Sequence, residues 1–292
     1  MALLAGISGF AFAGSIGLLL ALATIAIITA TGSRVGAQLV LRAYKAQPLN
    51  PRNAPDLVQL FTVLSQRAGL SQPPGLFYVP SPMMNAFAVG QGDGAAIAVT
   101  DGLLQRLNPR ELSGVLAHEL SHVRHQDIYI MGLADAFSRV TATLGQIGQL
   151  LIVLSLPALA LGWDFPYAGA LVLLLAPGVS ALLQLALSRS REFHADLGAV
   201  DITGDPAGLA SALAKIERIQ ASWLERVLLP GRREQQPALL RTHPHTDERI
   251  ERLKQIAADP PASTLLNPRQ LLVRNVAPTR QRPRWHWNGT WY

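Results

Sequence analysis

Runs of apolar residues with two different periods divide this chain. From Met1 to Ser33 there is no Asp, Glu, Lys or Arg, and Leu, Ile, Ala and Gly dominate. That length predicts one membrane-crossing helix over 1–33. Residues 140–188 form a second apolar block whose single charge, Asp164, lies in a Gly162-Trp163-Asp164-Phe165-Pro166 break. Each half is about 20 residues, the length one spanning helix needs, so the block reads as a hairpin crossing and returning. Between the blocks the pattern becomes amphipathic. Asp56 to Gly69 presents Leu57, Leu60, Phe61 and Leu64 at helical spacing, and Leu112, Val115, Leu116, Leu120 and Val123 make a second helical stripe. Three short apolar runs, 76–79, 86–89 and 95–100, read as strands, with Gly90 to Gly94 turning a hairpin between the last two. Past the second block, Leu209, Leu213, Ile216 and Trp223, then Ile250, Leu253 and Ile256, mark two more helices. The fold class is therefore mainly α with a small β-sheet, an α+β domain carrying transmembrane helices. It comprises an N-terminal span (1–33), two parts of one domain (34–139 and 189–273), the inserted hairpin (140–188) and a basic aromatic tail (274–292).

Composition sharpens this picture. Of 292 residues, 49% are hydrophobic and only 15% charged, against about a quarter charged in ordinary soluble domains. Arg34, Arg42, Lys45 and Arg52 follow the first block with no acid until Asp56, and Arg139, Arg189 and Arg191 flank the second. By the positive-inside bias these flanks face the cytoplasm, which predicts a multi-pass protein of the cell's inner membrane with the 34–139 and 189–273 domain on the cytoplasmic side. The net charge of +6 comes without any nucleic-acid-binding motif, so the basic residues are assigned to the lipid bilayer and not to nucleic acid. There is no cysteine, which excludes disulfides, thiolate ligands and a cysteine nucleophile.

The chemistry centres on His118-Glu119-Leu120-Ser121-His122. Imidazoles four residues apart on a helix share one face and can clamp a metal, with the intervening Glu placed to act on a water. Asn108, Pro109 and Glu111 supply the N-cap, first position and capping-box residue of the helix this requires. A catalytic Zn2+ takes three protein ligands and one open position. Glu192 is the candidate third ligand, because Asp196, one turn further on, can accept the second ring N–H of a ligating His. The competing reading is two carboxylates solvated at a helix surface. Glu192 can reach the histidines only if the block between them crosses the membrane an even number of times. His125 lies two turns from His118, His194 points away from Glu192, and His243 and His245 precede a helix from which either could swing into a cleft. The sheet offers an edge on which a peptide could add as a strand, with Asn85 and Ala86 as candidate contacts.

Together Asn85-Ala86-Phe87-Ala88, Thr100-Asp101-Gly102-Leu103-Leu104, the His118–His122 motif with Asp127 beyond it, Ser190-Arg191-Glu192-Phe193-His194-Ala195-Asp196, and Thr242-His243-Pro244 before Arg249-Ile250 resemble a known family. It is the integral-membrane zinc endopeptidases that include the heat-shock protease HtpX and the prenyl-protein CAAX proteases. The resemblance implies a zincin-like metalloprotease fold and one Zn2+ per chain on His118, His122 and Glu192. It also implies Glu119 as base, Asp196 supporting the ligands, and His243 as a cleft residue near the oxyanion, with Arg249 supporting it and, like Asn85 and Ala86, a candidate substrate contact. Its substrates would be polypeptides, membrane proteins or misfolded chains, with prenylated peptides as one alternative and an inactive membrane adaptor as another. HtpX-type chains start with two spans, whereas this one reads as starting with one.

Overall fold

The computed structural model describes residues 2–160, 167–228 and 246–258, and these divide into two compact units, one of the described residues within 1–35 and 128–190, the other of those within 36–127 and 191–258. In chain order the elements are α1 (Ala2–Ala43), β1 (Gln47–Pro48), α2 (Pro55–Arg67), β2 (Gly75–Val79), β3 (Ala86–Val89), β4 (Ala96–Thr100), α3 (Asp101–Arg106), α4 (Pro109–Arg124), α5 (Asp127–Ala160), α6 (Tyr167–Thr203), α7 (Pro206–Leu228) and α8 (Thr246–Ala258).

The first unit is apolar helix throughout. α1 is not the single continuous helix expected over 1–33, because Ala13 and Gly14 leave helical geometry and Gly14 takes φ +59°. Only glycine adopts that conformation without steric cost, so the chain turns there. Gly9 then lies against Gly17, with no room for a Cβ on either, and Ala5, Ser8 and Ala21 are buried. A glycine inside a uniformly greasy run leaves no periodic signature, which is why the turn escapes a reading of hydropathy. In α5 and α6, Asp127–Ser155 and Ala168–Thr203 are long and apolar enough to cross a membrane. Gly145 and Gly148 bring α5 close to Pro177 and Leu173 of α6, and Ser138 Oγ donates to Gln184 Oε1 at 2.7 Å and lies 3.1 Å from Ser180 Oγ. Gln184 thus pairs with serine, while Gln146 and Gln149 are exposed. Leu150, Leu154, Leu171, Leu182 and Leu185 stay more than half exposed, apolar surface that costs free energy in water and none in hydrocarbon.

The second unit carries a four-stranded sheet in the order β1-β2-β4-β3. β2 runs parallel to β4, while β3 and β4 form the antiparallel hairpin, Ala86 opposite Val99 and Val89 opposite Ala96. β3, the middle one of the three strands expected from the sequence, is therefore an outermost strand in space. β1 pairs with β2 through two residues, too few for any alternation to show in the sequence. Ala86, Ile97 and Val99 join Leu60, Phe61 and Leu64 of α2, Leu112, Leu116 and Leu120 of α4, Leu209 and Leu213 of α7, and Ile250 and Leu253 of α8 in one core. Burial of these side chains fixes the rotation of α4, and the rotation decides where its polar residues point.

Candidate metal centre

α4 begins with the full capping box: Asn108 Oδ1 accepts from Glu111 N at 2.9 Å, and Glu111 Oε2 accepts from Asn108 N at 3.0 Å. Glu111 does more, because Ser211 Oγ and Lys215 Nζ of α7 also donate to it, at 2.7 and 2.6 Å. Burial pushes the Glu111 carboxyl up, yet these hydrogen bonds prevail and hold it below the usual glutamate range. The other end of α4 meets α6 at Ser121, which touches Gly198 where any Cβ would collide with Ser121 Oγ. Close backbone approach at glycine thus brings α6 within reach of the two histidines.

The result is a tight cluster. His118 Nε2 and His122 Nε2 are 3.1 Å apart; Glu192 Oε2 is 3.5 Å from the first and Glu192 Oε1 3.7 Å from the second. Donor atoms about 2.0–2.2 Å from a tetrahedral ion stand about 3.3–3.6 Å from one another, so these separations lie within a few tenths of an ångström of those around one metal ion. Among the described residues this is the one group of three or more His, Cys, Asp or Glu side chains arranged to hold a metal.

Each imidazole is oriented from behind. His118 Nδ1 is 3.0 Å from Asp196 Oδ1, and His122 Nδ1 is 2.9 Å from Asp127 Oδ2. A carboxylate on each Nδ1 selects the Nδ1–H tautomer and leaves both Nε2 lone pairs aimed at the common point, which is the chemistry a divalent ion requires. Burial alone would lower the His118 pKa, but Asp196 and Glu192 raise it to about 9, so a metal ion would bind at Nε2 in exchange for a proton.

Arg249, from α8, is 1% exposed. Its Nε and Nη2 donate to Asp196 at 2.7 Å each, and its Nη1 forms a 2.8 Å ion pair with Glu192. Burial works against the guanidinium charge, and Asp196, Glu192 and Glu119 together outweigh it, so Arg249 stays charged while holding Asp196 below the usual carboxylate range. By formal charge, Glu119, Asp127, Glu192 and Asp196 with Arg249 and Arg191 leave two negative charges, which one divalent ion would balance.

The remaining candidates divide. Glu119 is buried within α4 between the histidines. Arg249, expected to support His243 and to contact substrate, lies buried against Glu192 and Asp196; His243 and His245 lie outside the described residues, as does the 274–292 tail. Asn85 stands at the entry to β3, tied to β4 by Thr100 Oγ1, which accepts from Asn85 N at 2.9 Å. Ala86 begins the ladder itself. His125 turns back on its own helix, Nδ1 2.9 Å from Ser121 O, and His194 is exposed. Asp127 and Arg191 are the site residues that spacing did not single out for a role. Arg191 Nη1 donates to Asp127 Oδ1 at 3.1 Å across 64 residues of chain, and no local pattern encodes such a contact.

Residues 51–257 match the family model described as "Peptidase family M48". Three similar proteins, each named "Protease HtpX homolog", come from Paraburkholderia phytofirmans, Ralstonia pickettii and Acaryochloris marina. The first is 37% identical, over 80% of this chain and 87% of its own. The second is 39% identical, over 75% of this chain and 80% of its own. The third is 36% identical, over 86% and 89%.

Proposed function

The chain belongs to peptidase family M48, a metallopeptidase family, and from that premise we propose that it is a membrane-bound endopeptidase whose metal is zinc, held by His118, His122 and Glu192. The observation that carries this reading is the convergence of two Nε2 atoms and a carboxylate within 4.8 Å, each imidazole backed by its own carboxylate. Nitrogen and oxygen donors without thiolate suit a catalytic zinc with one open position. When bound, zinc supplies a Lewis acid that polarises the scissile carbonyl and makes a water acidic near neutral pH.

The protein's own side chains do the rest. Glu119 takes the proton of the attacking water and delivers it to the leaving amine. Asp196 and Arg249 keep Glu192 and His118 in place, so the ligands need no rearrangement during turnover. His243 is assigned the developing oxyanion on the family resemblance alone. The substrate strand adds to the open edge of β3, where Asn85 and Ala86 meet it. In support, Asn85 Nδ2 is buried and, among the described residues, has no hydrogen-bond partner, a donor that a peptide carbonyl would satisfy.

We assign the chain to the inner membrane as a multi-pass protein with its catalytic unit in the cytoplasm. The basic flanks Arg34, Arg42, Lys45, Arg52, Arg139, Arg189 and Arg191, and the exposed leucines of α5 and α6, support this. Membrane proteins and misfolded chains are the proposed substrates, in keeping with relatives named for HtpX. Purified protein is expected to hold one zinc per chain, and Glu119→Gln to keep the zinc while losing peptide cleavage. A Glu119→Gln variant that still cleaves would remove the assignment of the base, and His118→Ala with undiminished zinc would remove the ligand set.

A further inference from the structure

His122 has a support that differs in kind from that of His118. Its Nδ1 partner, Asp127, is 2% exposed and opens α5, one residue after Gln126 turns the chain with φ +56°. Asp127 uses one oxygen for His122, at 2.9 Å, and the other for Arg191, at 3.1 Å. Arg191 is the residue immediately before Glu192. The chain therefore closes a ring: from His122 to Asp127 by a hydrogen bond, from Asp127 to Arg191 by an ion pair, from Arg191 to Glu192 by one peptide bond, and from Glu192 back to His122 across the metal position.

We propose that Asp127 and Arg191 are positioning residues for the zinc ligands, a reading that rests on the zinc assignment above. Asp127 fixes the ring orientation and tautomer of His122, keeping its Nε2 lone pair toward Glu192. Arg191 acts through Asp127. Its guanidinium occupies the second carboxylate oxygen and so holds the Asp127 side chain in its orientation toward His122, and the same contact sets the distance between the α4–α5 turn and the backbone that carries Glu192. Lysine at 191 would keep the charge and a donor, which is what the single Nη1–Oδ1 contact uses.

The test uses the full chain in mild detergent and reads zinc affinity by competition with a chromogenic chelator, independently of peptide cleavage. Asp127→Ala is expected to weaken zinc about 10- to 100-fold. Arg191→Ala should weaken it less, and Arg191→Lys should recover most of the loss. The double variant Asp127→Ala/Arg191→Ala should bind zinc no more weakly than Asp127→Ala alone, because Arg191 has nothing left to act through. Losses that instead add in the double variant, or an Asp127→Ala chain with wild-type zinc affinity, overturn the proposal. If Asp127→Ala does not fold, Asp127→Asn serves in its place: its amide keeps the shape but cannot accept on both sides, so undiminished affinity there overturns the proposal equally. A wild-type chain with no zinc affinity removes the zinc reading itself, and this proposal with it; unchanged affinity in the variants removes only the positioning role.

Discussion

Gly198 of α6 rests on Ser121 of α4 with no space for a methyl group between them. That contact sets how near Glu192 comes to His118 and His122, since all of these residues lie on the same two helices. Gly198→Val is expected to force the helices apart and reduce zinc content well below one per chain, measured by metal analysis of purified protein. Gly198→Ala should fall between this variant and the wild type.

Arg249 is the charge that allows Glu192 and Asp196 to be buried side by side. Removing one partner of a buried ionic group typically costs about 3–5 kcal/mol, because the remaining charges are left without compensation. Arg249→Met should therefore lower the thermal unfolding midpoint sharply, and Arg249→Lys by less. An Arg249→Met protein as stable as wild type would show that the guanidinium contributes nothing net to folding.

Glu111 ties α4 to α7 as a carboxylate with its pKa depressed in the folded chain. A depressed carboxyl pKa adds stability that is fully present above the unfolded value and disappears as pH falls through the folded one. Between about pH 6 and about pH 3.5 the wild-type midpoint should fall, and Glu111→Gln, already less stable at pH 6, should fall less steeply. Parallel curves for the two proteins would show that Glu111 does not carry this pH dependence.

How much of this was readable beforehand followed the range of the interaction. The capping box at Asn108 and Glu111, the apolar stripe of α4 and the histidine pair are local, encoded within a turn or two of helix, and the sequence displays them openly. Glu192 and Asp196 were also legible, because their own spacing is helical. Arg249 over Asp196 and Arg191 on Asp127 are contacts between side chains 53 and 64 residues apart, decided by how helices pack, and no periodicity announces them. The turn at Gly14 and the two-residue strand β1 were hidden for a different reason: the first sits in a run already rich in glycine, and the second is too short to alternate.

Gln126 is one of two non-glycine residues with positive φ among the described residues. A side chain in the left-handed region costs about 1 kcal/mol relative to glycine. Gln126→Gly should therefore leave zinc binding intact and raise stability by an amount of that order, seen as an upward shift in the unfolding midpoint. A lower midpoint would mean that the Gln126 side chain makes contacts worth more than the strain.

The position of β3 at the rim of its sheet, beside the helix that carries the histidines, bears on what such an enzyme can tell apart. If substrate adds to this strand as proposed, it meets amide and carbonyl groups that are the same for every amino acid, so what the strand would select is slack: a length of chain free to lie straight. Residues locked in helices or in a finished sheet have already committed those groups elsewhere and would be passed over. Discrimination between sound and damaged proteins can then arise from main-chain availability alone, without a pocket that spells out a cleavage sequence.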